Sequence, residues 1–199
     1  MTAKELRKAI LAARDALPAD ERRAKSAAIA ARLLARPEIK ESKHIFLYVS
    51  FRSEVETVEL LHTFLAMGKK VSLPFTHTKA KYLDAIPISD PDKQLTPGYS
   101  DIPEPSVEAR KTITPPQEIE AIILPGSVFD LRGGRFGYGG GFYDRYVASA
   151  PQAWRIGVAF EAQIVPEAPL QPHDELLDLV VTESRVITGS RDRQVVAKR

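Results

Sequence analysis

Short apolar runs alternate along this chain with stretches of helical periodicity. That alternation narrows the fold to a mostly parallel sheet covered on both faces. Residues 45–49 (Ile45-Phe46-Leu47-Tyr48-Val49), 71–73, 118–124, 155–160 and 177–181 read as strands, with a shorter one near 82–86 and an edge over 185–187. Residues 3–16 read as a helix, because Leu6, Ile10, Ala13 and Leu17 fall on one stripe. Thr2-Ala3-Lys4-Glu5 has the form of a capping box, which sets the start, and Pro18 sets the end. A second, alanine-rich helix spans 20–35 and stops before Pro37. Thr57 is placed to cap a third, with Val58, Leu61 and Leu65 inward and Gly68 at its end; the strand after it is stopped by Pro74. From 75 to 116 the pattern weakens as Pro and Gly become frequent, and a last helix is expected over 142–149. The reading is an α/β chain with one domain over 1–189. The basic residues 190–199 are expected to be a frayed tail.

A chain of 199 residues can bury a full core as one domain. Its charge is nearly balanced, at +2, which gives no ground for a nucleic-acid partner. Apolar runs fall well short of a membrane span, and the first residues lack the apolar core of a signal peptide. The expectation is a cytoplasmic protein, working as a monomer. With no cysteine, disulfides, thiolate catalysis and cysteine-held metals are excluded. The four histidines show no metal spacing.

Between Leu124 and Tyr146 the chain reads LPGSVFDLRGGRFGYGGGFYDRY. An apolar run ends at Pro125-Gly126; glycines follow at 133, 134, 137, 139, 140 and 141, and a helix begins at Phe142. Strand, glycine loop and helix N-terminus together turn several backbone N–H groups toward one spot, which suits a phosphate. A merely flexible loop would carry Ser, Asn and Asp. This one interleaves Arg135, Phe136, Tyr138, Phe142 and Tyr143, which favours an ordered binding surface. It is not a common P-loop, since no G-x-x-x-x-G-K-[ST] is present. Nor is it G-x-G-x-x-G, since Phe142 stands where the last glycine belongs.

Lys4, Arg7 and Lys8 share a face of the first helix at its positive end, where cations are disfavoured unless an anion arrives. A solvated basic face is an equally good account. Asp144, in the first turn behind the glycines, could serve the helix dipole, pair with Arg145, or hold magnesium against phosphates. Asp178 opens a strand and reads as a turn cap. Glu54 and Glu56 flank Val55 in a connection where exposure is expected, and Ser127 has no evident base.

These pieces resemble the 5-formyltetrahydrofolate cyclo-ligase (5,10-methenyltetrahydrofolate synthetase) family. The resemblance runs from Lys4-Glu5-Leu6-Arg7 through Tyr48, Ser53-Glu54-Val55-Glu56-Thr57, Gly68-Lys69-Lys70-Val71-Ser72-Leu73-Pro74 and Asp101-Ile102-Pro103-Glu104-Pro105. It is strongest from Phe129-Asp130 to Arg145. Two departures occur there: Phe136 replaces the usual Leu, and Phe142 replaces the usual Tyr and so loses a hydroxyl.

The resemblance implies a Rossmann-like sheet similar to the NagB/RpiA/CoA-transferase-like group. It also implies ATP- and magnesium-dependent cyclisation of 5-formyltetrahydrofolate to 5,10-methenyltetrahydrofolate, releasing ADP and phosphate. By matching position, Lys4, Arg7 and Arg135 would be catalytic. ATP would meet Lys4, Glu5, Leu6, Arg7, Lys8, Arg135, Phe136, Gly137, Tyr138, Gly139, Gly140, Gly141, Phe142 and Tyr143. The folate would meet Val49, Glu54, Tyr138, Gly139, Gly140, Gly141 and Phe142, and magnesium Asp144 and Asp178. The alternatives are a folate- or nucleotide-binding relative without turnover, or an ATP-dependent ligase for another small substrate.

Overall fold

The computed structural model describes residues 2–98, 102–170 and 175–193. His173 and Asp174, and positions 194–199 of the basic tail, lie outside them. The chain opens with helices α1 (Ala3–Asp15), α2 (Ala19–Leu34) and α3 (Pro37–Glu41), followed by β1 (His44–Leu47), α4 (Val58–Ala66), β2 (Lys70–His77) and β3 (Tyr82–Ile88). Next come α5 (Pro91–Gln94), β4 (Leu95–Pro97), β5 (Pro103–Pro105), β6 (Ala121–Leu124), β7 (Val128–Asp130) and β8 (Arg135–Phe136). The last elements are α6 (Phe142–Ser149), β9 (Trp154–Val158), β10 (Ile164–Val165), β11 (Leu179–Val181) and β12 (Val186–Thr188).

The main sheet has seven strands in the order β12-β11-β9-β6-β1-β2-β3. The strands from β11 to β2 run parallel, and β12 and β3 close the two edges antiparallel. Alternate residues of the buried strands face opposite layers. Ile45, Leu47, Ile123 and Val158 pack with Ile29 and Leu33 of α2 and Leu60, Leu61 and Phe64 of α4. Phe46, Ile122, Leu124 and Val180 pack on the other face with Tyr146 and Val147 of α6. There Phe46 stacks on Tyr146 with ring centroids 4.4 Å apart. Both faces are therefore covered, as the alternating pattern requires. Among the described residues, no helix is long and apolar enough to cross a membrane.

The expected capping box is present: Glu5 N–H donates to Thr2 Oγ1 (3.2 Å), and Thr2 N–H to the Glu5 carboxylate (2.7 Å). Four expectations need correction. Thr57 stands at the N-cap position of α4 but makes no side-chain cap, because its hydroxyl donates to the Tyr48 carbonyl (2.8 Å) and accepts from the Ser50 N–H (3.0 Å). The buried face of α4 is Leu60, Leu61 and Phe64, leaving Val58 exposed. Strand β2 continues through Pro74 to His77. Its β1 ladder has ended at Ser72, so the missing N–H of Pro74 costs no bond on that side.

The fourth correction is the start of the tail. Arg191 donates to the Asp178 carboxylate (2.7 Å) and to the carbonyls of Ala153 and Pro151. Arg193 reaches the same carboxylate (3.1 Å) and lies 3.7 Å over the Trp154 ring. Residues 190–193 are docked, not frayed.

Candidate active site

Parallel sheets bind ligands beyond the carboxyl ends of their strands, because loops there can be varied without disturbing the core. The central strand β6 ends at Leu124, and the chain then forms the β7–β8 hairpin before entering α6. The glycine stretch is thereby divided in two. Gly133 and Gly134 belong to the hairpin turn, Gly133 close against the Leu177 carbonyl and Gly134 against the Asp130 carboxylate. The stretch from Gly137 to Gly141 forms the loop into α6. Gly139 (φ +97°) and Gly141 (φ +64°) adopt left-handed backbone there, which L side chains rarely accept. Gly141 is also the N-cap of α6, with no side chain to satisfy the first N–H groups of the helix.

This loop walls a cleft of about 480 Å³ lined by residues 135–145 together with Arg7, Thr76, Leu83, Ala148 and Glu175. Arg135 is almost fully buried at its edge. Its guanidinium donates to Asp144 Oδ1 (2.7 Å) and to the Pro125 carbonyl (3.1 Å). The guanidinium of Arg7 lies 4.1 Å from the Phe136 ring centroid, and its Nε is buried without a partner. Arg145 donates from Nε to the Lys81 carbonyl (2.7 Å) and from its terminal nitrogen to the Gly140 carbonyl (2.8 Å), pinning the loop from outside. The Arg135 and Arg7 guanidinium groups, an uncapped helix N-terminus and an unpartnered buried N–H are the kind of donor set that suits an anion.

Lys4, Glu5 and Lys8 are exposed and do not line this cleft, and Leu6 is half-buried in α1. Of the basic face on α1, Arg7 alone among the expected residues reaches it. Glu5 is engaged in the helix cap. Val49 is half-buried against the α4 face of the core, beside an apolar hollow of about 40 Å³.

Glu54 is buried rather than exposed. Its carboxylate accepts from Tyr138 Oη (2.5 Å) and from the Phe51 N–H (2.8 Å). Burial pushes the Glu54 carboxyl above the usual range, and these hydrogen bonds and the charge of Arg14 oppose that shift. Tyr138 therefore joins both regions: it lines the cleft, and its hydroxyl reaches Glu54. Burial raises the phenols of Tyr138 and Tyr143 well above the ordinary tyrosine range, and the Tyr138 hydroxyl is the donor to Glu54.

Asp144 faces the cleft, so its carboxylate fits magnesium held by one carboxylate and the oxygens of a bound phosphate. Asp178 is not brought to it. It precedes the amino end of β11, and its carboxylate accepts from the Arg155 N–H (2.7 Å), Arg191 and Arg193. Among the described residues, no group of three or more His, Asp or Glu could hold a metal without other ligands.

Sequence reasoning missed Arg14, Arg145 and Glu175. Arg14 carried a signal: it lies two helical turns after Arg7, on the same face of α1. Glu175 carried none, since its partner is Arg155, twenty residues earlier.

The 5-formyltetrahydrofolate cyclo-ligase family model matches residues 1–183. The chain belongs to this family. It is 29% identical to the 5-formyltetrahydrofolate cyclo-ligase of Escherichia coli strain K12, an alignment covering 87% of this chain and 96% of that one. The mouse enzyme of the same name is also 29% identical, over 84% of this chain and 87% of the relative. The solution structure of Aquifex aeolicus 5,10-methenyltetrahydrofolate synthetase superposes with a TM-score of 0.83 at 33% identity, covering 96% and 94% of the two chains. This family member is thus a ligase of folate one-carbon metabolism.

Proposed function

We propose that the chain converts 5-formyltetrahydrofolate to 5,10-methenyltetrahydrofolate, consuming ATP with magnesium and releasing ADP and phosphate. The observation that carries this reading is the cleft itself, where the glycine backbone, the uncapped start of α6, Arg135 and Arg7 converge.

A formamide oxygen is a poor leaving group. Transfer of the γ-phosphoryl group to it makes an iminium phosphate, the neighbouring folate nitrogen attacks the formyl carbon, and the C–O bond breaks with phosphate departing. The nitrogen loses its proton and the ring is closed. No protein nucleophile is needed. The protein supplies alignment and charge stabilisation, which dominate phosphoryl transfer. In this reading Arg135 and Arg7 face the transferring phosphoryl group, and the backbone from Gly137 to Gly141 cradles the phosphates. Tyr138 and Glu54 meet the pterin. Magnesium, when bound, neutralises phosphate charge, and Asp144 is the residue that would hold it. Support for Asp144 over Asp178 is that Asp144 lines the cleft, whereas the Asp178 carboxylate is taken up by arginines.

The test is to incubate purified protein with 5-formyltetrahydrofolate, ATP and magnesium and to follow product by its near-ultraviolet absorbance. Product is expected only with all components present. Its absence while folate still binds would favour the relative without turnover.

A further inference from the structure

Arg14 is a buried cation, 4% exposed, in the last turn of α1. It donates from Nε to Ser53 Oγ (3.0 Å) and from one terminal nitrogen to Tyr138 Oη (2.8 Å) and the Gly126 carbonyl (3.4 Å). Each hydroxyl in turn donates to a carboxylate, Ser53 to Asp15 and Tyr138 to Glu54. Among the described residues, no carboxylate pairs with this guanidinium directly; its charge is met through two hydroxyls.

This arrangement fixes proton directions. A guanidinium has no acceptor, so a hydroxyl that it contacts must receive from it and turn its own hydrogen elsewhere. Tyr138 thus has one orientation available, with its hydrogen on Glu54. The same cation holds the Gly126 carbonyl just past β6 and the β1–α4 connection through Ser53. Three segments that are far apart in sequence, 14, 53–54 and 126–138, are tied at one point between the nucleotide cleft and Glu54.

We propose that Arg14 is a positioning residue for the cyclo-ligase reaction. By fixing the Tyr138 hydroxyl, and through it the Glu54 carboxylate, it sets the glycine loop between nucleotide and folate before either binds. The inference rests on the reading that Glu54 and the glycine loop meet the substrates.

The test compares the full-length chain with Arg14→Met, Arg14→Lys, Tyr138→Phe and the Arg14→Met/Tyr138→Phe double variant. The readouts are kcat and the KM for 5-formyltetrahydrofolate, normalised to folded protein. Loss of a hydrogen bond from a charged donor predicts that Arg14→Met raises this KM and lowers kcat/KM about ten- to a hundredfold. Tyr138→Phe should do the same, and the double variant should fall no further than the worse single one, since both break one chain of bonds. Arg14→Lys, keeping charge and one donor, should recover part of the loss. A purely structural Arg14 would lower the melting temperature, leave KM unchanged, and multiply with Tyr138→Phe; that result would overturn the proposal. Should Arg14→Met fail to fold, Arg14→Lys with Tyr138→Phe carries the same comparison. Absence of wild-type turnover would overturn the substrate reading and this inference with it; wild-type turnover with wild-type KM in every variant would overturn the inference alone.

Discussion

Asp144 and Asp178 are two of the carboxylates with arginine partners, and they do different things. Asp144 pairs with Arg135 at the wall of a cleft, on a helix whose first N–H groups have no side-chain cap. Asp178 pairs with Arg191 and Arg193 at the amino ends of β9 and β11, with its remaining capacity taken by the Arg155 N–H. In the first region polar groups are left over: the Arg7 Nε, the α6 terminus and one open side of the carboxylate. In the second the carboxylate itself is used up by the protein, although the Nε of neighbouring Arg155 is buried without a partner. A carboxylate–arginine pair points to a ligand when the carboxylate lines a cleft and keeps an open side, and to a strut when protein donors close it.

The largest effect that would sharpen this contrast is on turnover. Arg135→Ala should lower kcat about a thousandfold or more while the protein stays folded, since a positioned arginine contributes on that order to phosphoryl transfer. Steady-state rates with a circular dichroism spectrum would check it, and an active Arg135→Ala enzyme would remove Arg135 from the chemistry. Asp178→Ala should act in the opposite way. It leaves buried Arg191 without its carboxylate, at a cost of about 2–3 kcal/mol, less than for a fully unpartnered charge because Arg191 keeps the Ala153 and Pro151 carbonyls. The melting temperature should drop by roughly 5–10 °C, with kcat near wild type. Ending the chain at Ser190 should give a smaller loss, about 1–2 kcal/mol by denaturant titration, because Asp178 can then be rehydrated.

The smallest effect concerns Glu54. Its folded-state pKa is raised, chiefly by burial, so the stability it contributes is full below the unfolded value and is lost as pH rises through the folded one. The melting temperature of wild type minus that of Glu54→Gln should therefore increase on acidification from neutral pH toward the ordinary carboxylate range. A difference that fell on acidification would mean that the ionised form is the stabilised one.

Much of the architecture was legible in the sequence because it rests on local rules. The capping box fixed the start of α1, and the 142–149 helix was found residue for residue. What escaped depends on distant partners. Glu54 looked exposed because Tyr138, which buries it, is 84 residues away. Thr57 looked like a cap because the Tyr48 carbonyl that takes its hydroxyl cannot be seen locally. The six glycines read as one loop, yet the β7–β8 pairing assigns two to a hairpin turn and four to the cleft. Lys4 and Lys8 matched a family pattern, but the rotation of α1 turns Arg7 inward and leaves them in solvent.

The most direct measurement is a magnesium titration of the cyclo-ligase rate for wild type, Asp144→Asn and Asp178→Asn side by side. A ligand role for Asp144 alone predicts that Asp144→Asn raises the half-saturating magnesium concentration about tenfold or more, while Asp178→Asn leaves it unchanged and only lowers the melting temperature. A shift caused by Asp178→Asn and absent from Asp144→Asn would contradict the account.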